Sequence, residues 1–278
     1  MSRVKISCPS CTINGYIEVS EDSLKDITRG LLAINIPEGT ICEHTFITYV
    51  DKNLRVRDYF LADFKIEIPE IALSEEIEEK KIISKEVIKL DLIKLNLPAL
   101  LLTYVFKSIF SKQKIVIISE LEFLYEHVSN FFDYITRDTF NVDIEIMTKK
   151  DYKKNKKMYK DHMVFNGSEI LNNVNKIINV KKLKVEKYFV KNFLSEPDLS
   201  YSYIILKNEI RKIYQLSKSV IDYANEQKIE KLNLKLIVDY LTEKYNIKIQ
   251  KTYLNFLIDI MKSYFDFDLL SIISAFRI

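Results

Sequence analysis

Residues 8–11 read CPSC and residues 42–44 read CEH, and these two short stretches decide how the first part of the chain folds. In CPSC one tight turn directs both sulfurs at the same point. In CEH the cysteine and the histidine are two positions apart at the start of a strand, so both side chains face one side. Two such pairs predict a closed tetrahedral zinc site. Its predicted ligands are Cys8, Cys11, Cys42 and His44.

A zinc ion with four protein ligands has no position left for a substrate, so the predicted zinc is structural and helps to fold a segment with a small core. The alternative is that the cysteines are small buried hydrophobic residues and that His44 lies on the surface. All three cysteines fall within the first 42 residues, which favours the metal site. Their odd number argues against a disulfide framework. C-x-H is the less usual pair, so His44 is the ligand that another group could replace.

The composition of the 278-residue chain predicts a folded cytoplasmic protein of two or three small domains. Hydrophobic residues make up 47% of the sequence, which is enough for a sizeable core. Four glycines and five prolines indicate few turns and long helices. The sequence shows neither a basic-then-apolar leader nor an apolar stretch of about 20 residues, so we expect no signal peptide and no membrane span.

The first 97 residues divide into a β module and a linker. Residues 1–69 are predicted to be mainly β structure. The predicted elements are strands at 16–19, 31–36, 45–50 and 54–68, a helix at 21–29 between Ser20 and Gly30, and a turn at 37–39. Residues 70–97 contain the acidic run Glu75, Glu76, Glu78 and Glu79. This run predicts a solvated linker or an exposed helix.

Residues 98–195 alternate between strand-like and helical patterns, which predicts a small α/β domain with a parallel or mixed sheet. The continuous apolar run KIVIIS at 114–119 is typical of a buried strand. The other predicted elements are strands at 142–147 and 162–165 and helices at 98–112, 120–135, 149–159 and 168–178.

Residues 196–278 are predicted to be helical. Helices at 201–227, 234–245 and 252–265, with an extended piece at 247–249, indicate a helix-turn-helix or winged-helix-like unit. The helix at 252–265 reads TYLNFLIDIMKSYF and has Lys262 as its one cation. Such a helix packs against protein rather than DNA, so we interpret this unit as a protein-interaction element and expect a homodimer through the C-terminal helices.

A lysine-rich run at residues 149–160 reads KKDYKKNKKMYK, with Tyr152 and Tyr159 interleaved. Basic residues with aromatic neighbours are typical of phosphate and base binding. An anionic membrane surface is an equal contender, and a solvated protein face is the simplest alternative. The candidate anion-binding or nucleic-acid-binding residues are Lys149, Lys150, Lys153, Lys154, Lys156, Lys157 and Lys160.

Catalytic patterns are weak in this sequence. No phosphate-binding glycine loop, nucleophile elbow or zinc-protease motif is present. Ser119 ends a predicted buried strand, where α/β proteins place functional groups, but Glu120-Leu121-Glu122 follows it instead of a glycine-rich loop. We therefore interpret the chain as a non-enzymatic protein and predict no catalytic residue.

Two family resemblances add to these predictions. With CPSC, RGLLAINIPEG at 29–39 and CEHTFITYVDKNLRVRDYFLADF at 42–64, the first quarter of the chain resembles a zinc-ribbon-like module of archaeal proteins, notably of the Asgard group. This resemblance implies zinc at the same four ligands and implies no activity. The segment VFKSIFSKQKIVIIS at 105–119 and the helix after it resemble the core of DENN-type domains, which regulate small GTPases.

The function expected from these patterns is that of an adaptor or scaffold that binds other proteins. The DENN-type resemblance implies small GTPases or membrane-trafficking assemblies as partners. The competing hypothesis is a nucleic-acid-binding factor that uses the zinc module and the lysine-rich run.

Overall fold

The computed structural model describes residues 2–19, 31–61, 90–226 and 233–274. The described strands are β1 Ser2–Ser7, β2 Asn14–Val19, β3 Leu31–Ile36, β4 Phe46–Asp51, β5 Val56–Leu61, β6 Ile115–Ile118, β7 Ile144–Met147, β8 Met163–Asn166 and β9 Glu169–Asn172. The described α-helices are α1 Leu90–Asn96, α2 Ala99–Ile109, α3 Tyr125–Ile135, α4 Lys149–Asn155, α5 Lys184–Ser195, α6 Leu199–Glu226, α7 Leu234–Tyr245, α8 Lys251–Ser263 and α9 Leu269–Ser274. The predicted combination of a β module, an α/β domain and a helical region amounts to a mixed α+β fold class, and this class is confirmed.

The N-terminal module consists of a hairpin and a three-stranded sheet. β1 pairs antiparallel with β2, and β3, β4 and β5 form an antiparallel sheet in that order. β1 was not among the predicted strands, although Val4 and Ile6 alternate with the polar Arg3 and Lys5 as a half-buried strand requires. Three predicted features lie wholly or partly outside the described residues. They are the helix at 21–29, residues 62–68 of the strand at 54–68, and residues 70–89 of the predicted linker, which include the acidic run.

β4 is buried on both faces, and this explains its position at the centre of the module. Phe46 and Val50 contribute to a small core between the hairpin and the sheet, which also holds Val4 and Ile6. Residues on the other face of the sheet, such as Tyr49, belong to the main core of the protein. The module is therefore packed against the rest of the chain and is not joined to it through a linker alone.

The middle sheet has the order β7-β6-β8-β9, with β6 parallel to both β7 and β8. The predicted helix at 168–178 is wrong, because β9 pairs antiparallel with β8 there. Gly167 and Ser168 form the two-residue turn of this hairpin, and Gly167 has a φ of +54°. Glycine suits the first position of such a turn, since it adopts positive φ without a steric penalty. Two 3₁₀ turns, Val174–Lys176 and Val180–Lys182, follow β9.

One continuous core connects the segments that were predicted as separate modules. It extends from Leu31 of β3 to Ile273 of α9. α1 lies within the predicted linker, but Leu90 and Ile93 are buried in this core, so this part of the segment is not exposed. The predicted boundary after residue 195 separates α5 from α6, and both helices contribute buried residues such as Phe193 and Leu206 to the same core.

The C-terminal helices bury most of their apolar residues within the chain itself. Tyr253, Leu257 and Met261 of α8 are completely buried, and Leu269 of α9 is too. Asn246 ends α7 in the left-handed conformation, which redirects the chain toward α8. Residues 233–274 contain no strand, so the described part of this region includes no wing. Leu270 of α9 is 48% exposed, and the homodimer expected through the C-terminal helices stays a prediction.

No single helix in the described ranges combines the length and the apolar composition that a bilayer span requires. α1 and α2 pass this test only together, and they meet at an angle of 106°.

The contact between Asp58 and α2 is expected to stabilise the packing of the N-terminal module. Pro98 offers no side-chain cap to α2, and the carboxylate of Asp58 on β5 accepts a hydrogen bond from the backbone N–H of Ala99 instead. Asp58→Ala should lower the free energy of unfolding by about 1–2 kcal/mol, as the loss of other helix caps does. Asp58→Asn keeps an acceptor and should retain most of the stability. Urea unfolding followed by circular dichroism measures both, and equal stability of wild type and Asp58→Ala would contradict this role.

Candidate metal centre

Two loops of the N-terminal module bring three cysteines and one histidine together. Cys8 and Cys11 lie in the turn between β1 and β2, and Cys42 and His44 lie in the connection between β3 and β4. One ligand atom from each of the four residues lies within 4.8 Å of the others. The Sγ of Cys42 is 3.7 Å from the Nδ1 of His44. The predicted ligands are thus collected at one point of the structure.

Backbone hydrogen bonds shape the first turn around Cys8. The N–H of Cys8 donates to the carbonyl of Ile13, and the carbonyl of Cys8 accepts from the N–H of Thr12, both at 2.9 Å. Thr12 adopts a left-handed φ of +61°, which closes the turn. The N–H of Ser10 points at the Sγ of Cys8 at 3.4 Å. Such N–H donors favour the thiolate form that a metal ion needs.

The second pair depends on a turn that glycine makes possible. Gly39 has a φ of +84°, and its N–H donates to the carbonyl of Cys42 at 2.8 Å. The predicted turn at residues 37–39 is therefore present, and it holds the backbone of Cys42 in place.

Gly15 permits the two loops to approach each other. A Cβ at this position would lie 2.2 Å from the Cδ1 of Ile41, the residue before Cys42. A side chain here would force the Ile41 side chain into another rotamer, so Gly15 allows Ile41 to pack directly over β2.

Neighbouring groups shift the pKa values of Cys8 and Cys42 in opposite directions. Burial alone would raise the pKa of Cys8, but hydrogen bonds from the backbone of Cys11 and Ser10 outweigh it and lower the pKa. For Cys42 the backbone of His44 lowers the pKa, whereas desolvation and the neighbouring Cys8 and Cys11 raise it more strongly, to about 11. Three thiolates this close repel each other, and a divalent cation is the partner that would relieve the repulsion.

The donor set and its spacing fit a tetrahedral metal ion. Zinc bonds of about 2.3 Å to sulfur and about 2.0–2.1 Å to nitrogen place neighbouring ligand atoms about 3.5–3.8 Å apart. The Cys42–His44 separation already lies in this range, and a small contraction would bring the other atoms into it. This Cys3His group could therefore bind a metal ion such as zinc.

The lysine-rich run presents its charges but not its aromatic rings. The seven lysines predicted as anion ligands are all exposed. They lie on α4, on the 3₁₀ turn Lys156–Tyr159 and, in the case of Lys160, directly after this turn. Tyr152 and Tyr159 are buried in a small cluster with residues such as Met147, and the Tyr159 hydroxyl donates to Glu145 at 2.7 Å. Neither ring is available to stack on a base.

The carboxyl edge of the middle sheet carries an apolar cavity of about 140 Å³. The Oγ of Ser119 accepts from the N–H of Leu121, and its carbonyl accepts from the Tyr125 hydroxyl at 2.6 Å. These local hydrogen bonds cap the end of β6. Leu121 and Phe123 beside this edge are 41% and 60% exposed, respectively.

A second cavity, of about 620 Å³, was missed by sequence reasoning. It lies where the start of α5 meets α8, and its lining includes the lysines of the run VKKLK at residues 180–184. The run does not stand out by composition, because lysine is frequent throughout the chain. Its position directly before a helix is the signal that could have identified it.

The chain matches no protein-family model and no curated protein.

Proposed function

We propose that the protein is a non-enzymatic adaptor or scaffold whose N-terminal part is a zinc-ribbon-like module held by one structural zinc ion. The observation that carries the proposal is the closed Cys3His group. Four protein ligands occupy all the coordination positions of a tetrahedral zinc ion, so no position is left for a substrate. Cysteines that act as metal ligands fit a reducing, cytoplasmic setting.

The exposed side chains of Leu121 and Phe123 support a protein-binding role. Aromatic and large aliphatic residues are enriched at the centres of protein interfaces, where they fill pockets of the partner. Both residues lie in the chain between Ser119 and Leu124, which line the apolar cavity, so a partner that covers the cavity could bury them as well. The DENN-type resemblance supports small GTPases or membrane-trafficking proteins as the partners.

The order of elements at the C-terminus supports a helix-turn-helix-like module as part of the scaffold, without a wing among the described residues. α7, an extended segment and α8 follow one another as in a helix-turn-helix unit. α8 buries its apolar face inside the chain, so we assign this unit a supporting role behind the exposed residues of the sheet edge.

The adaptor proposal predicts that Leu121→Ser with Phe123→Ser releases a protein partner. The full-length tagged protein would be purified from its native source at moderate salt, and its partners identified by mass spectrometry and then measured with purified components. We expect the double variant to weaken partner binding by about tenfold or more, which is typical of lost hot-spot residues. Tyr201→Ser with Leu236→Ser is the matched control, because both residues are exposed elsewhere.

A partner that binds the Leu121/Phe123 variant as tightly as wild type would contradict this surface. The competing nucleic-acid-binding function is favoured by one observation, the seven exposed lysines of residues 149–160. Co-purification of RNA or DNA instead of protein, lost at high salt and on neutralising Lys153, Lys154, Lys156 and Lys157, would establish that function instead.

A further inference from the structure

The cavity between the start of α5 and α8 has the size of a small-molecule site. Its volume of about 620 Å³ lies within the range of about 300–1,000 Å³ that is typical of ligand-binding clefts. One wall is the segment that includes both 3₁₀ turns and the first residues of α5. The opposite wall is a face of α8 that carries Thr252, Asn255 and Asp259.

The polar lining of this cavity is strongly basic. Among the described residues that line it, five are lysines and two are carboxylates. The lysines are Lys107, Lys176, Lys181, Lys182 and Lys184, and the carboxylates are Glu186 and Asp259. These lysines belong to α2, to a turn and to the start of a helix. A ligand in the cavity would therefore meet positive charge from several directions.

The lysines at the start of α5 oppose the preferences of a helix. The N-terminus of a helix carries a partial positive charge, and cations there are unfavourable. Lys181 and Lys182 nevertheless precede α5, Lys184 is its first residue, and Leu183 supplies no side-chain cap. An arrangement that local stability disfavours is expected where a function requires it, and an anion in the cavity would turn this repulsion into attraction.

The turn that carries Lys176 is held in an uncommon conformation. Asn175 and Lys176 have φ values of +51° and +55°, which non-glycine residues rarely adopt. The side chain of Asn173 fixes this turn through two hydrogen bonds with the backbone of Ile178, at 2.9 and 3.0 Å. These hydrogen bonds thus fix the loop that places Lys176 at the cavity.

The base of the cavity holds a cation whose ion pairs are loose. The side chain of Lys107 is only 12% exposed, and its Nζ lies 4.0 Å from a carboxylate oxygen of both Glu186 and Asp259. Burial raises the pKa of Glu186 to about 7 despite the opposing effect of Lys107. Lys107 therefore lies at the limit of ion-pair distance from both carboxylates, and it also lines the cavity.

We propose that this cavity binds a phosphate monoester through Lys107, Lys176, Lys181 and Lys182. A phosphate dianion presents several oxygens and accepts hydrogen bonds from several directions, which matches lysines from separate elements. Soluble inositol phosphates and phosphoinositide headgroups share this chemistry. The inference does not depend on the adaptor proposal, because the cavity is distinct from the Leu121/Phe123 surface.

The test compares two triple variants of the full-length protein. The cavity triple removes charge from the cavity and combines Lys176→Gln, Lys181→Gln and Lys182→Gln. The control triple removes the same charge from the run at 149–160 and combines Lys153→Gln, Lys154→Gln and Lys156→Gln. Titration calorimetry would measure inositol hexakisphosphate binding. Sedimentation would measure binding to phosphatidylcholine vesicles with phosphatidylinositol 4,5-bisphosphate or with phosphatidylserine at matched charge. We expect the cavity triple to weaken binding about tenfold or more and the control triple to weaken it less than about threefold.

The two probe arms identify the source of the phosphate. Saturable binding of the soluble probe alone assigns an inositol phosphate-like ligand, and a preference for bisphosphate vesicles over phosphatidylserine vesicles assigns a lipid headgroup. Equal losses in both triple variants, or no saturable binding of any probe, would overturn the proposal. Both variants replace exposed lysines, so their folding is checked by identical circular dichroism melts.

Discussion

Cys8→Ser with Cys11→Ser is expected to abolish zinc binding and to release the β1–β2 hairpin from the three-stranded sheet. Wild-type protein should carry one zinc ion per chain, measured by elemental analysis. Structural zinc sites contribute on the order of 10 kcal/mol to small metal-dependent domains. In this protein the metal would link the turn after β1 to the loop before β4, so its loss acts on that junction first.

Hydrogen exchange distinguishes local release from global unfolding. The hairpin contacts the sheet through a small core, whereas the other face of the sheet packs on the main core. We therefore expect amides of residues 2–19 and 40–46 to lose protection in the variant while those of β6 keep it. Loss of protection throughout the chain would show instead that the whole fold depends on zinc.

Three controls separate metal ligation from other effects of substitution. Ser10→Ala changes the same turn without removing a ligand and should retain zinc. His44→Cys supplies a fourth sulfur and should also retain it, whereas His44→Ala should bind zinc more weakly. Cobalt substitution should give the absorption of tetrahedral thiolate coordination. Wild-type protein without stoichiometric zinc, or a Cys8/Cys11 variant with unchanged hairpin protection, would refute the site.

Zinc affinity is also expected to decrease as the pH falls. Each thiol must lose its proton to bind the metal, and the pKa of Cys42 is raised to about 11 in the metal-free site. Competition with a chromogenic chelator between pH 6 and 8 measures this dependence as part of the same experiment.

Raising the pH from 7 to 10 is expected to stabilise wild-type protein relative to Lys94→Met. Lys94 is 2% exposed on α1, and its Nζ donates to the carbonyl of Glu196 at 2.6 Å, just beyond the C-terminus of α5. Burial lowers the pKa of Lys94 from 10.5 to about 7, although Glu196 and Asp198 oppose the shift. Its amine is thus much less basic in the folded state than in the unfolded chain.

The sign of the effect follows from the protons bound in each state. Between pH 7 and pH 10.5 the unfolded chain keeps the Lys94 proton, whereas the folded protein releases it. Lowering the pH within this window therefore lowers the free energy of unfolding. Stability conferred by Lys94 therefore rises with pH, by at most about 1.4 kcal/mol per unit, and levels off below the folded pKa.

Urea unfolding of the two proteins at pH 7, 8, 9 and 10 measures the difference directly. The chain has no tryptophan, so circular dichroism is the appropriate signal. Cysteines and tyrosines titrate in both proteins, and their contributions cancel in the comparison. Lys153→Met, at an exposed position, should give a curve parallel to wild type. A Lys94→Met curve that is also parallel to wild type would show that Lys94 does not titrate in this range.

The elements that the sequence predicted correctly are those with strong local signals. β3 at 31–36 and α7 at 234–245 begin and end at the predicted residues. Both have a regular apolar periodicity, and turn residues flank them in the sequence. The failure at 168–178 arose where two local signals competed. A helix was predicted from Ser168 onward, but Gly167 and Ser168 form a hairpin turn, since pairing with β8 satisfies the backbone of the edge strand.

The sequence by itself determined which residues form the candidate metal centre. Sulfur and imidazole ligands in two short-spaced pairs have a specific chemistry, and the folded chain brings all four to one place. The sequence also determined the strand and helix character of most segments, because apolar periodicity is a local property of the chain.

Only the tertiary structure decided which apolar faces are covered and which charges converge. Tyr152 and Tyr159 looked available beside their lysines, but β6, β7 and β8 bury them. The region of α1 looked like part of a linker, yet its apolar face completes the main core. Periodicity tells which side of an element is apolar and not what packs against it. The lysine-lined cavity likewise exists only because α2, α5 and α8, which are distant in sequence, meet in space.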